Sequence, residues 1–153
     1  LGRNGPNSCM ETTSDRGRRA EAWTRRLPPG QFRLLFEHLA STLFFAKDLE
    51  GRIMCANTAF ARRCGFSSEA EVVGLADEDI FAPALAERYR EGDRRVLATG
   101  QPLLGLIELF PNELGQPEWC ETNKLPLHDR DGKICGLCGT VKSYEGTRDA
   151  LQP

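Results

Sequence analysis

The chain has 153 residues, 40% hydrophobic and 27% charged, with a formal net charge of −2 and a sequence pI near 5.8. That length holds one domain with a real core and leaves no room for a second. The acidic balance argues against nucleic-acid binding by this segment, which favours a basic face, and no apolar run is long enough to cross a bilayer or form a signal-peptide core. The chain therefore reads as cytoplasmic.

Residues 1–29 are rich in Gly, Pro, Ser, Thr and Arg, show no apolar periodicity and end in Pro28-Pro29-Gly30, so they read as a disordered leader. Residues 30–145 carry the domain, and 146–153 read as the start of a linker to an effector. The first periodic stretch runs from Gln31 to Ala40. Phe32, Leu35, Phe36 and Leu39 fall at i, i+3, i+4 and i+7 there and make one apolar helical stripe.

Thr42 to Lys47 and Arg52 to Ala56 read as strands around Asp48-Leu49-Glu50-Gly51-Arg52-Ile53. Nearly the same hexapeptide returns as Asp129-Arg130-Asp131-Gly132-Lys133-Ile134. An Asp side chain can bond its own backbone and Gly accepts φ > 0, so both read as β-hairpin turns. Asn57 is placed to cap a short helix containing Phe60 and Cys64 that Gly65 ends, Ser68 with Glu71 suggests a capping box, and Asp77 is placed to cap a turn around Ile80. Such broken helices leave room for a cavity. The longest helix is expected over Pro83 to Ala98, with Leu85, Tyr89, Gly92 and Val96 on one face and Glu87, Arg90, Glu91, Arg94 and Arg95 wet.

Leu103 to Phe110, Glu118 to Leu127 and Lys133 to Val141 then read as an antiparallel meander. The result is an α+β chain built on one five-stranded antiparallel sheet, with the short helices and one long helix on one face and the N-terminal amphipathic helix outside. Both faces of the last strand are apolar, so that N-terminal helix is expected to cover its outer side. A twofold mate would meet the rest of the stripe, which makes Phe32, Leu35, Phe36 and Leu39 the dimer-interface candidates of a homodimer.

The order of elements resembles the PAS domain, over roughly Phe32 to Tyr144. The residues that carry the likeness are Phe44-Phe45-Ala46-Lys47-Asp48 through Gly51-Arg52-Ile53 to Ala56-Asn57, then Gly74, Asp77, Asp79, Ile80 and Phe81. Tyr89 and Asp93, the Thr99-Gly100-Gln101-Pro102 exit, and Trp119, Thr122, Lys124, Pro126 and Leu127 with the closing glycines complete it. The resemblance implies the PAS fold and the role of a signal-input sensor. The stretch Trp119 to Leu127 is most similar to PAS domains before AraC-type regulators, with relatives before histidine kinases and diguanylate cyclases. Ser143-Tyr144-Glu145-Gly146 stands where kinase-linked forms usually carry Asp-Ile-Thr.

Chemistry other than sensing finds little support in the residues. Cys135 and Cys138 form a CxxC, but positions three apart on a strand face opposite ways and no second pair is present, so no metal site is expected. A flavin-binding PAS would carry Asn-Cys-Arg in the central helices, and a haem-binding one a histidine on the long helix; residues 75–82 lack cysteine and 83–98 lack histidine. Neither flavin nor haem is expected as cofactor. No catalytic constellation or phosphate loop is spelled out, so the chain is not expected to be an enzyme.

The expected function is a sensor that binds an unknown small molecule or a partner and regulates an attached effector, an AraC-type transcription regulator first. One alternative is a ligand-free dimerisation module of a histidine kinase or cyclase. A second is a thiol redox sensor, on the strength of six cysteines. Asn57, Phe60, Tyr89, Trp119 and Asn123 are the candidates to line a ligand cavity. Trp119 and Asn123 share one strand face, and Cys120, Thr122 and Lys124 share the other; either face is free to look inward.

Overall fold

The computed structural model describes residues 12–39 and 41–144. Cys9 and the linker expected at 146–153 lie outside the described residues. The chain divides into two compact units, Leu1–Leu34 and Leu35–Pro153.

The described part of the first unit is not the irregular leader that its composition suggests, because Thr13–Thr24 forms helix α1. Thr12 caps it: its hydroxyl accepts from Asp15 N at 3.1 Å, and the Asp15 carboxylate accepts from Thr12 N at 3.1 Å. Arg18 pairs with Asp15, and Arg25 with Glu21. None of its residues is buried. A helix held by its cap and by i, i+3 and i, i+4 pairs needs no apolar stripe, which is why periodicity missed it. The helix expected over Gln31 to Ala40 is shorter than its pattern, a 3-10 turn at Gln31–Arg33 followed by α2 at Leu34–Glu37.

In the second unit β1 (Leu43–Asp48), β2 (Ile53–Ala56), β3 (Leu103–Pro111), β4 (Pro117–His128) and β5 (Ile134–Ser143) form one antiparallel sheet in the order β2-β1-β5-β4-β3. The repeated hexapeptides make the same turn twice. Asp48 Oδ1 accepts from Glu50 N and Arg52 N at 3.0 and 2.9 Å, and Asp129 Oδ1 from Asp131 N and Lys133 N at 2.9 and 3.0 Å. Gly51 and Gly132 take φ of 79° and 80°, where a Cβ is strained. The β3–β4 turn repeats the device with Asn112, whose Oδ1 accepts from Leu114 N and Gln116 N.

Helices α3 (Thr58–Arg63), α4 (Glu69–Val72) and α6 (Pro83–Thr99) pack against the sheet, and α5 (Asp77–Ile80) packs against α6. Ala86, Tyr89 and Val96 of α6 join Phe60 of α3 and Phe45, Leu137 and Val141 of the sheet in one core. On the other side of the sheet, the contact made by α2 differs from expectation. Phe36 stacks on Phe44 of β1, ring centroids 4.2 Å apart and nearly parallel, rather than on β5. Leu35 and Leu39 stay exposed. Among the described residues, this single turn meets the sheet through the Phe36 ring.

Candidate functional site

Strand parity decides what looks inward. Along β4, Cys120, Thr122 and Lys124 are buried while Trp119 and Leu125 are exposed, so the helices face the first set. Lys47 shares the inward parity of Phe45 on β1, and Glu108 that of Phe110 on β3. On α6, Asp93 sits in phase with Tyr89 and Val96. Charged side chains thus occupy core positions on four elements.

They meet in one cluster. Lys47 Nζ donates to Asp77 Oδ2 at 2.6 Å and to Asp93 Oδ2 at 2.7 Å. Lys124 Nζ donates to Asp93 Oδ1 at 2.7 Å and to the Tyr89 carbonyl at 2.9 Å. Gly92 permits this approach, because a Cβ there would stand 3.0 Å from Lys124 Nζ. Burial by itself pulls the Lys47 ammonium down, but the charges of Asp93 and Asp77 and the bonds to both reverse that and hold its pKa above the ordinary lysine value. Burial pushes the Asp77 carboxyl up, with the Lys47 ammonium opposing.

Glu108 is equally buried and takes part in none of these ion pairs. Burial pushes its carboxyl up, against the pull of the Lys124 charge. Beside it, Thr122 Oγ1 is buried with no hydrogen-bond partner at ordinary distance among the described residues, and its longer interaction with the Glu108 carboxyl also opposes that rise. Both line a cavity of about 20 Å³ whose walls include Phe45, Phe60, Phe81, Tyr89 and Phe110. The Phe81 ring meets Tyr89 edge-on at 5.0 Å and Phe110 at 5.4 Å. Tyr89 Oη donates to the Leu109 carbonyl at 2.6 Å, and burial holds that phenol protonated. Phe81 also lines a groove of about 300 Å³ on the other side, between Arg62, Leu85 and Asn112.

The sequence-based candidates divide accordingly. Phe60 and Tyr89 line the cavity. Trp119 does not: it is 55% exposed on the opposite face of β4. Asn123 shares that face, where its Oδ1 accepts from Gly105 N at 2.9 Å and pins the bulge of β3. Asn57 is a joint, not a lining residue. Its Oδ1 accepts from Phe60 N and Phe44 N, and its Nδ2 donates to the Phe36 and Thr42 carbonyls, so the amide is fully used in tying α2, β1 and α3 together. Asp77, expected to cap α5, is its first helical residue instead, because Asp79 takes the Ala76 N–H and frees Asp77 to turn inward.

Lys47, Asp93, Glu108 and Lys124 were not among the residues expected at the site. The signal was there: each charge falls in phase with an apolar stripe, where a solvated side chain would not. Among the thiols, burial pushes Cys64 up to about 12 and also raises Cys120 and Cys138, which keeps them from acting as thiolates. No described helix is long and apolar enough to cross a membrane.

The family described as PAS fold matches residues 36–143, a span that holds the sheet, the helices and the charged cluster. The chain belongs to the PAS fold family. Its PAS domain is 28% identical over 111 residues to the methanogenesis regulatory histidine kinase FilI of Methanothrix harundinacea, covering 72% of this chain and 12% of that protein. Among solved structures, VqmA bound to DPO is 26% identical, with a TM-score of 0.64, over 74% of this chain and 56% of that one. The PAS domain of Bordetella pertussis BvgS is 23% identical, with a TM-score of 0.61, over 78% of this chain and 86% of that one. The PAS domain described here thus spans a small part of the curated kinase it matches and about half of VqmA. It is a PAS sensor domain.

Proposed function

We propose that this PAS domain binds a small molecule in the cavity between α6, α3 and the sheet, and passes its occupancy to an attached effector. The carrying observation is a cavity with aromatic walls at which one buried hydroxyl, Thr122 Oγ1, has no hydrogen-bond partner at ordinary distance among the described residues. Binding sites combine apolar walls with a few placed polar groups, whereas a core built only for stability satisfies its hydroxyls. The similarity to a ligand-bound VqmA supports the reading. The role is non-catalytic and calls for neither haem nor flavin.

The effector is a transcription regulator of AraC type or a histidine kinase, and the similarity to FilI favours the kinase. The PAS domain acts as a homodimer in the cytoplasm, with Leu35, Leu39 and the rest of the N-terminal stripe at the interface. Their exposure supports this.

A ligand-free dimerisation module has one observation on its side, since about 20 Å³ holds a single water. Native mass spectrometry of the purified chain separates the two. A retained small-molecule mass that is lost in a Thr122→Leu variant supports the sensor; no retained mass, and no metabolite that raises the melting temperature, supports the module.

A further inference from the structure

Helix α1 is folded but covers no core, since none of its residues is buried. Its charge is also unlike that of the chain. The whole carries −2, yet between Thr12 and Leu34 six arginines stand against two carboxylates, Asp15 and Glu21. Both carboxylates are used on one side. Asp15 pairs with Arg18 and Glu21 with Arg25, and at 3.6 residues per turn these two arginines lie on the side of the helix away from Trp23. The Trp23 side carries Arg16, Arg19 and Arg26, with Ala20 three residues before the indole and Leu27 four after it. The helical path reaches Leu27, whose N–H donates to the Thr24 carbonyl at 3.0 Å. Among the described residues neither Arg16 nor Arg26 has a carboxylate partner, and Arg16 reaches only the Thr13 hydroxyl. Trp23 is 55% exposed.

We infer that this face of α1 lies on an anionic lipid surface, with Trp23 and Leu27 at the headgroup boundary and Arg16, Arg19 and Arg26 against the lipid phosphates. The inference is independent of the cavity. Charge complementarity calls for an anionic partner, because the face is cationic and its acids are turned away. The apolar side chains between the arginines choose among such partners. A nucleic-acid backbone would satisfy the guanidiniums and leave Leu27 in water, whereas a bilayer interface takes both. Tryptophan is suited to that depth, with an apolar body and one N–H that stays wet. A helix of 12 residues with this many charges is too short and too polar to cross, so it lies in the plane of the surface. Each arginine held near an anionic bilayer strengthens binding about fivefold.

Vesicle co-sedimentation of the 153-residue chain is the measurement, with phosphatidylcholine alone and with an equal mixture of phosphatidylcholine and phosphatidylglycerol. A Trp119→Phe variant leaves Trp23 as the one indole, so its emission reports on α1. The chain should bind the mixed vesicles at least about tenfold more tightly than the neutral ones, and Trp23 emission should shift to the blue on binding. Arg16→Gln with Arg26→Gln should weaken binding at least about tenfold, Trp23→Ala should weaken it too, and Arg18→Gln with Arg25→Gln, on the far side, should weaken it less. None of these residues is buried, and glutamine is a good helix former, so circular dichroism should match the parent throughout. No binding to the mixed vesicles, equal binding to both kinds, an unmoved Trp23 emission, or equal losses from the two arginine pairs would each overturn the assignment. Tighter binding to a DNA duplex or a single-stranded RNA than to the mixed vesicles would overturn it in favour of nucleic acid.

Discussion

Lys47 Nζ and Asp93 Oδ2 stand 2.7 Å apart, 46 positions apart in the chain, and their ion pair joins β1 to α6 through the interior. Asp93 holds Lys124 with its other oxygen. Removing it would leave the buried Lys124 ammonium with only the Tyr89 carbonyl and the Lys47 ammonium with Asp77 alone. Breaking a buried pair from one side costs about 3–5 kcal/mol, because the remaining charge is left in low dielectric. Asp93→Ala should lose at least that much in urea unfolding, whereas Glu87→Ala, which breaks an exposed pair with Arg94, should leave the transition close to that of the parent. Equal losses would remove the cluster from the account of stability.

Glu108 gives the chain a stability that depends on pH. A carboxyl whose native pKa is raised binds its proton more tightly folded than unfolded. Its contribution is therefore full below the ordinary carboxylate range and is lost as pH rises through the native value. Glutamine cannot ionise. The melting temperature of Glu108→Gln minus that of the parent should grow as pH rises above the ordinary carboxylate range. Asp77 is also raised, but it is present in both chains and cancels in the difference. A difference that stays flat, or shrinks, would place the Glu108 carboxylate in a satisfied setting.

Trp119 and Phe110 are near neighbours on β4 and β3 that face opposite sides of the sheet. Phe110→Ala should cost about 3–5 kcal/mol through the cavity it leaves. Trp119→Ala should stay within about 0.5 kcal/mol, as surface changes do. Chemical denaturation of the two variants checks the assignment of faces, and a large loss at Trp119 would reverse it.

The two matched hairpin turns should fail in the same way. Gly51 and Gly132 both take positive φ, and a β-branched residue held there costs about 1–3 kcal/mol. Gly51→Val and Gly132→Val should each lower the melting temperature, read by differential scanning calorimetry. Unchanged transitions in both would show that the turns can reform around a side chain.

Leu35 and Leu39 carry the proposed dimer. Burying a leucine is worth about 1.5–3 kcal/mol, and a charge in its place costs more, so Leu35→Glu with Leu39→Glu should yield a monomer by light scattering over a concentration series. A parent that stays monomeric at high micromolar concentration, or a double variant that stays dimeric, would leave α2 as a lid over Phe44.

What the sequence determined by itself was whatever rests on neighbours along the chain. Asp48 to Ile53 and Asp129 to Ile134 spell their turns because an Asp carboxylate bonds backbone only two and four residues away. Asn57 caps α3 by reaching three residues on, and the stripe of α6 follows from its own period. With these elements ordered, the PAS fold was legible. Tertiary structure decided which face of β4 looks inward, since alternation defines two faces and only the helices packed above them select one. It also decided that Lys47, Asp77, Asp93, Glu108 and Lys124 belong together. Each is an ordinary surface residue by type, and only convergence from separate elements makes the ion pairs that let four of them be buried and leaves Glu108 and Thr122 facing the cavity.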